Sequence, residues 1–232
     1  MIKLCGMRDA DNIREVEALG IDLMGFIFWP KSSRYVSERP AYLPTKCRRV
    51  GVFVDEDAEV VLRKVEEYGL DFIQLHGHES PEYIRALKSQ LVNLSTNNSS
   101  TRQLVNSSTC PLTTRQLVNL STRQLSTIKA FNIAAREDLE ATAPYEGLAD
   151  YFLFDTKGKC VGGNGEKFDW SVLSSYRGET PFLLSGGIGP DDAERVKAFR
   201  HPKCVGIDLN SRFEVSPALK DINKLKTFLQ SL

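Results

Sequence analysis

The chain has 232 residues, 41% apolar and 26% charged, the proportions of a folded globular protein at a length ordinary for one α/β barrel. Its 30 Lys and Arg balance 30 Asp and Glu, which excludes a bulk basic field for nucleic acid or anionic membrane, so an anionic ligand has to be held by local geometry. No apolar run nears the ~20 residues of a bilayer span, the start lacks the pattern of a secretory leader, and the five cysteines are scattered, odd in number and never in CxxC spacing. A disulfide framework, a zinc site and a membrane partner are therefore not expected; reduced thiols in a cytoplasm are.

From the N-terminus, short apolar runs alternate with amphipathic stretches. Residues 2–5 read as a strand. Ile13, Val16 and Leu19 then follow Asp9 and Asp11 at helical spacing, and Gly20 ends the run. A second strand at 23–28 precedes a short helix expected at 38–43 and a third strand at 50–54. Val60, Val61, Val65 and Tyr68 form the next apolar face before Gly69. A strand at 72–75 leads to Ser80-Pro81-Glu82, which opens a helix with proline in its first turn. Strands at 127–131, 151–154, 182–184 and 204–209 are separated by helical patterns at 135–143, 168–176 and 190–199, and a last helix is expected over 217–229. The strands are apolar almost throughout, as parallel strands covered on both faces are. Eight strand–helix units predict a single TIM-type (β/α)₈ barrel spanning 1–232; an open doubly wound sheet is the alternative that periodicity leaves.

One stretch, about 91–126, departs from this pattern. It is rich in Ser, Thr, Asn, Gln and Leu, and Gln90-Leu91-Val92-Asn93-Leu94-Ser95-Thr96 recurs unchanged at 116–122. Too little apolar surface is present to offset the entropy of ordering it, so it reads as an inserted, largely disordered repeat, with a peptide ligand for a partner as the other reading. It falls between the fourth helix and the fifth strand, hence at the end of the barrel away from the loops that carry active sites.

Polar residues at strand ends define the expected mouth: Cys5, His76, Asp155 and Asp208. Ser185-Gly186-Gly187-Ile188-Gly189 after the seventh strand, together with residues 208–213 after the eighth, occupy the loops that in this fold often cradle phosphate; a pair of tight turns is the plainer alternative. Cys5 closes a strand and is preceded by Lys3 on the same face, whose charge would favour a thiolate base; Cys47, Cys160 and Cys204 read as inert fillers. Asp155 ends an apolar run, where desolvation would raise its pKa and suit it to donating a proton, unless it merely pairs with Lys157. Arg34, after the second strand, is placed to grip a carboxylate bidentately, although exposed loop arginines commonly do nothing of the kind. His76 reads as a structural histidine more readily than a catalytic one, and Arg48-Arg49 as the solvated start of a strand.

In this order the residues resemble the phosphoribosylanthranilate isomerase family. The stretches that carry the likeness include Lys3-Leu4-Cys5-Gly6-Met7, Ser33-Arg34-Tyr35-Val36, Gln74-Leu75-His76-Gly77, Phe154-Asp155-Thr156-Lys157, Gly162-Gly163-Asn164-Gly165, Leu184-Ser185-Gly186-Gly187-Ile188, Gly206-Ile207-Asp208 and Lys220-Asp221. The resemblance implies an acid–base Amadori rearrangement of N-(5-phosphoribosyl)anthranilate in tryptophan biosynthesis, without metal or cofactor, in a cytoplasmic monomer or homodimer whose partner is a small phosphorylated substrate. It implies Asp155 as the acid that opens the furanose, Cys5 as the base at C2′, and Arg34 on the anthranilate carboxylate. Gly163, Gly186, Gly187, Asp208, Ser211 and Arg212 would line the rest of the substrate site. Asn164 stands where the family commonly has Thr or Ser, and Arg212 where Gly is common, which leaves open the backbone path around the phosphate. Another phosphate-binding barrel is the nearest rival, although an indole-glycerol-phosphate synthase would normally offer Lys and Glu at its strand ends. A silent barrel displaying the repeat as an interaction module is the rival from another class.

Overall fold

Parallel strands that are apolar on both faces need cover on both, and the chain supplies it by closing the sheet on itself. The computed structural model describes residues 1–100, 125–156 and 169–232, in which eight strands form a closed parallel barrel in sequence order. They are β1 (Ile2–Leu4), β2 (Leu23–Ile27), β3 (Arg48–Phe53), β4 (Phe72–Leu75), β5 (Ser126–Ile133), β6 (Tyr151–Thr156), β7 (Phe182–Leu184) and β8 (Cys204–Leu209). The ring closes where Lys3 of β1 lies opposite Asp208 of β8, and the chain's own amino terminus donates to the Val205 carbonyl at 3.0 Å. Side chains alternate between two cores. Leu23, Val50, Val52, Phe72, Ile128, Leu153 and Leu183 fill the barrel. The opposite faces, with Phe26, Phe53, Ile73, Phe152, Phe154 and Phe182 among them, pack under the outer helices.

The outer layer follows the sequence pattern with several corrections. Helix α1 (Ala10–Glu17) is capped by Asp9, whose carboxylate accepts from the Asp11 and Asn12 amides. Helix α2 (Ala58–Tyr68) ends at Gly69 in the left-handed conformation that glycine adopts without strain. Helix α3 (Pro81–Ser100) runs past the expected edge of the repeat. Its first turns are already nucleated and no glycine or proline intervenes before 100, so the first ten residues of the repeat continue the helix. The rest of the expected disordered insertion, 101–124, lies outside the described residues.

No helix forms at 38–43. Pro40 interrupts that stretch and Pro44 follows it directly, and the Glu17 carboxylate instead accepts from the Tyr42 hydroxyl and the amides of Thr45 and Lys46. The patterns at 135–143 and 168–176 appear as 3₁₀ turns, Arg136–Tyr145 and Trp170–Ser175. After β7 a 3₁₀ turn (Pro190–Asp192) leads into the short helix α4 (Ala193–Ala198). The last expected helix begins late: Pro217 sits in a hairpin of β9 (Glu214–Ser216) and β10 (Leu219–Lys220), and only Ile222–Gln230 is helical (α5).

Two local features aim residues into the mouth. Between β7 and β8 the register skips Val205, since Phe182 pairs with Cys204 and Leu183 with Gly206. This bulge resets the alternation, so that Asp208 faces inward beside Lys3 while Ile207 and Leu209 face the outer core. Gly206 is required there because a Cβ would lie 2.1 Å from the Met1 carbonyl oxygen. The loop after β4 is held by a buried brace: the Lys129 ammonium reaches the Gly77 carbonyl at 2.7 Å and Glu79 at 3.2 Å, and Glu79 in turn accepts from the amides of Asp55 and Gly77.

Candidate active site

The C-terminal ends of the strands bring the predicted residues to one mouth. Cys5 follows β1 directly, donates its amide to the Leu209 carbonyl at 2.9 Å, and is 4% exposed. Its thiol lies over Gly25 of β2, where a Cβ would come within 2.8 Å of Sγ. A bare glycine is therefore what admits the sulfur, and the Gly25 carbonyl also receives the Gly6 and Met7 amides.

Below the thiol, Lys3 is fully buried with its ammonium 2.7 Å from Asp208 Oδ1, and Asp208 Oδ2 accepts from the Ser185 hydroxyl at 3.3 Å. Lys3 is held above its ordinary pKa: burial alone would lower it, but Asp208 and Cys5 outweigh burial. The Cys5 thiol is pushed up, first by burial and also by Asp208, against the pull of Lys3 and Lys220. Lys3 does pull this thiol down, as the sequence suggests, but burial together with Asp208 outweighs that pull and the net shift is upward. Cys47 and Cys204 are pushed up by burial as well, Cys47 to about 12, which suits inert fillers. Cys110 and Cys160 lie outside the described residues.

Asp155 faces the mouth from β6 with 31% of its side chain exposed, so the desolvated carboxylate expected from the apolar run before it is only partly realised. Its Oδ2 lies 3.6 Å from His76 Nε2. Burial, reinforced by the charges of Lys3 and Lys129, lowers the His76 pKa to about 4, so the ring is neutral at ordinary pH. On the other side of the ring, Gln74 Nε2 stands 2.8 Å from Nδ1. With the amide in that orientation Nδ1 accepts, and the ring proton sits on Nε2 toward Asp155. The histidine read from sequence as structural therefore adjoins the proposed acid. Its signal was present in the alternation Gln74, His76, which puts both side chains on the inward face.

Across the mouth, Arg34 is held side-on by Glu214. Its Nε donates to Oε1 at 2.8 Å and its Nη2 to Oε2 at 2.6 Å, and the Lys220 ammonium meets Oε1 at 2.7 Å. Burial alone would raise the Glu214 carboxyl, but the Arg34 hydrogen bond and the Lys220 charge outweigh it and bring it below the usual range. Arg34 crosses Gly6, at φ 78°, where a Cβ would stand 2.7 Å from its Cδ. No sequence signal joins Arg34 to Glu214, because 180 positions separate them.

The Gly-rich loop turns through Gly186 and Gly187 at φ 88° and 70°. It lies beside the 3₁₀ turn Ser211–Phe213, since a Cβ on Gly189 would come 3.7 Å from Arg212 Cβ. The loop after β7 and the turn after β8 thus lie side by side at Gly189 and Arg212. Gly163 and Asn164, with the loop that carries them, lie outside the described residues.

Comparison with known proteins points one way. The family model described as "N-(5'phosphoribosyl)anthranilate (PRA) isomerase" matches residues 2–107 and 112–231. A protein named N-(5'-phosphoribosyl)anthranilate isomerase from Phocaeicola vulgatus is 46% identical over 232 residues, covering 100% of this chain and 97% of its own length. Among solved structures, phosphoribosyl anthranilate isomerase from Thermus thermophilus superposes with a TM-score of 0.71 at 28% identity, over 99% of this chain and 96% of that one. A phosphoribosyl anthranilate isomerase in complex with reduced 1-(o-carboxyphenylamino)-1-deoxyribulose 5-phosphate gives 0.69 at 26% identity, over 99% and 96% of the two chains.

Proposed function

The chain belongs to the N-(5'-phosphoribosyl)anthranilate isomerase family, and from that membership we propose how its residues divide the family's reaction in tryptophan biosynthesis, the conversion of N-(5-phosphoribosyl)anthranilate to 1-(2-carboxyphenylamino)-1-deoxyribulose 5-phosphate. Asp155 gives its proton to the furanose ring oxygen as the C1′–O bond breaks and the anilino nitrogen lone pair forms the iminium. The Cys5 thiolate then takes the C2′ proton, and the C–H electrons form the C1′–C2′ double bond of an enolamine, which tautomerises to the ketose. Each positioned acid or base contributes about 10²–10⁴-fold.

The observation that best supports this division is the seating of Cys5. A thiol sits over Gly25 at the end of β1, at the same barrel mouth as an aspartate whose neighbour His76 is neutral. The raised thiol pKa means that the thiolate is a minority form in the free protein, so turnover draws on a minority protonation state. Arg34 takes the anthranilate carboxylate, and Gly186, Gly187, Ser211 and Arg212 surround the phosphate with backbone N–H groups and one guanidinium. The Asp208 carboxylate, neutralised by Lys3, lies below the sugar and can accept a hydroxyl hydrogen bond. A cytoplasmic location is part of the same reading, on the scattered cysteines. The test is the decay of fluorescence of freshly made phosphoribosylanthranilate on adding the purified protein. Decay with the wild type and none with Cys5→Ser or Asp155→Asn is expected; equal decay with all three overturns the assignment.

A further inference from the structure

An arginine that is to hold a substrate carboxylate must be aimed and must keep spare donors. Glu214 takes only the side-on edge of Arg34, through Nε and Nη2. A guanidinium has five N–H groups in a planar fork. Once that edge is occupied, the end-on pair of Nη1 and the second Nη2 hydrogen remains for a second carboxylate. Glu214 is itself fixed from three further directions: the Lys220 ammonium at 2.7 Å, the Ala218 amide at 3.2 Å, and its place at the start of β9. Lys220 is pinned in turn, its amide and carbonyl both bonded to Asn12 and its ammonium to Asn210 Oδ1.

Charge is arranged to the same end. An Arg–Glu pair alone is neutral and has little attraction for an anion. Lys220 adds a second cation to the single carboxylate, so the three-group cluster carries one net positive charge at the mouth while Lys220 is protonated.

We propose that Glu214 is the positioning residue of the carboxylate subsite: from the β9–β10 hairpin it locks Arg34 side-on, so that the end-on edge meets the aromatic carboxylate of the substrate. The proposal rests on the assignment of that carboxylate to Arg34. Glu214 touches no reacting atom and acts through the arginine.

The experiment measures affinity for two unreactive product analogues, 1-(2-carboxyphenylamino)-1-deoxyribitol 5-phosphate and its carboxyl-free phenylamino counterpart, in wild type, Glu214→Gln, Glu214→Asp and Arg34→Ala. Glu214→Gln replaces one of the two acceptor oxygens by an amide donor facing the guanidinium. It should reduce the preference for the carboxylated analogue about tenfold or more, as expected for a misaligned charge-assisted bond that outweighs the added positive charge, with affinity for the carboxyl-free analogue unchanged. KM should rise more than kcat falls. Glu214→Asp keeps the charge but loses the reach for two bonds, and should lie between wild type and Glu214→Gln. Should Glu214→Gln fail to fold, Glu214→Asp alone is read by the same preference. If Arg34→Ala abolishes the preference while the folded Glu214 variants keep it or weaken both analogues equally, Glu214 is merely structural and the proposal falls. If Arg34→Ala leaves the preference intact, the carboxylate assignment itself falls and takes the proposal with it.

Discussion

Cys5 illustrates how little a residue's chemistry follows from its nearest charged neighbour. Lys3 is two positions away and buried, yet its ammonium is satisfied by Asp208 and burial governs the thiol. Replacing Cys5 by Ser retains size and hydrogen bonding but substitutes a hydroxyl that scarcely ionises. Turnover should drop by at least about 10²-fold, with affinity for a product analogue within about threefold of wild type; a variant keeping more than about a tenth of wild-type turnover would remove Cys5 from the role of base. His76 makes a prediction about stability. Its folded pKa, about 4, lies below the unfolded value near 6.5. The folded state thus binds fewer protons in that window, and the stability held above pH ~6.5 declines as pH falls through ~4, by about 3 kcal/mol once the ring is charged. In His76→Gln that loss should be absent. From pH 7 to 4 the melting temperature of the wild type should therefore fall relative to that of the variant; parallel curves would mean the ring does not titrate as proposed.

Elements matter here through close approach. Strand β2 comes under Cys5 only because position 25 has no side chain, and a Cβ there would also lie 3.1 Å from the Cys5 Cα. Backbone cannot yield as a flexible side-chain tip can, so Gly25→Ala should shift β1 against β2 and displace the sulfur. Overpacking of this kind costs about 1–3 kcal/mol, and a misplacement of about 1 Å can cost 10²-fold in rate. The expected result is a folded protein, lower in melting temperature, whose kcat is reduced more than about tenfold. Full kcat in a crystallographically unshifted variant would show that the strand tolerates the methyl group. The β9–β10 hairpin belongs to this scale too. Its second half, from residue 217, is expected as helix from sequence; Pro217 and the Lys220–Asn12 bonds hold it in the hairpin instead, which delivers Glu214 to Arg34.

For the whole molecule, barrel polarity separates chemistry from tolerance. The repeat joins α3 to β5 and so enters where strands begin, whereas Cys5, Asp155 and the glycine loop lie where strands end. Deleting residues 101–124 and joining Ser100 to Leu125 should therefore leave kcat within about threefold. The helix boundary dictates that cut: removing 92–126 would take away the end of α3 and the first residue of β5. A folded deletion variant that loses more than about tenfold in kcat would tie the repeat to the active site.

Periodicity and strand-end chemistry were enough to define eight strands, to favour a barrel over an open sheet, and to place Cys5, Asp155, Arg34 and the Gly186-Gly187 loop at one mouth; closure of the ring is seen only in the tertiary structure. These follow from local pattern: apolar runs, helix caps, and the rule that loops after strands carry the chemistry. What tertiary structure alone decided depends on contacts between distant positions. The bulge at Val205 turns Asp208 inward, Asp208 cancels Lys3, His76 adjoins Asp155 two strands away, and Glu214 holds Arg34 across 180 positions. The physical reason is that alternation and capping are read within a few residues, whereas a pKa or an aimed guanidinium depends on whichever charges the closed ring brings within a few ångströms.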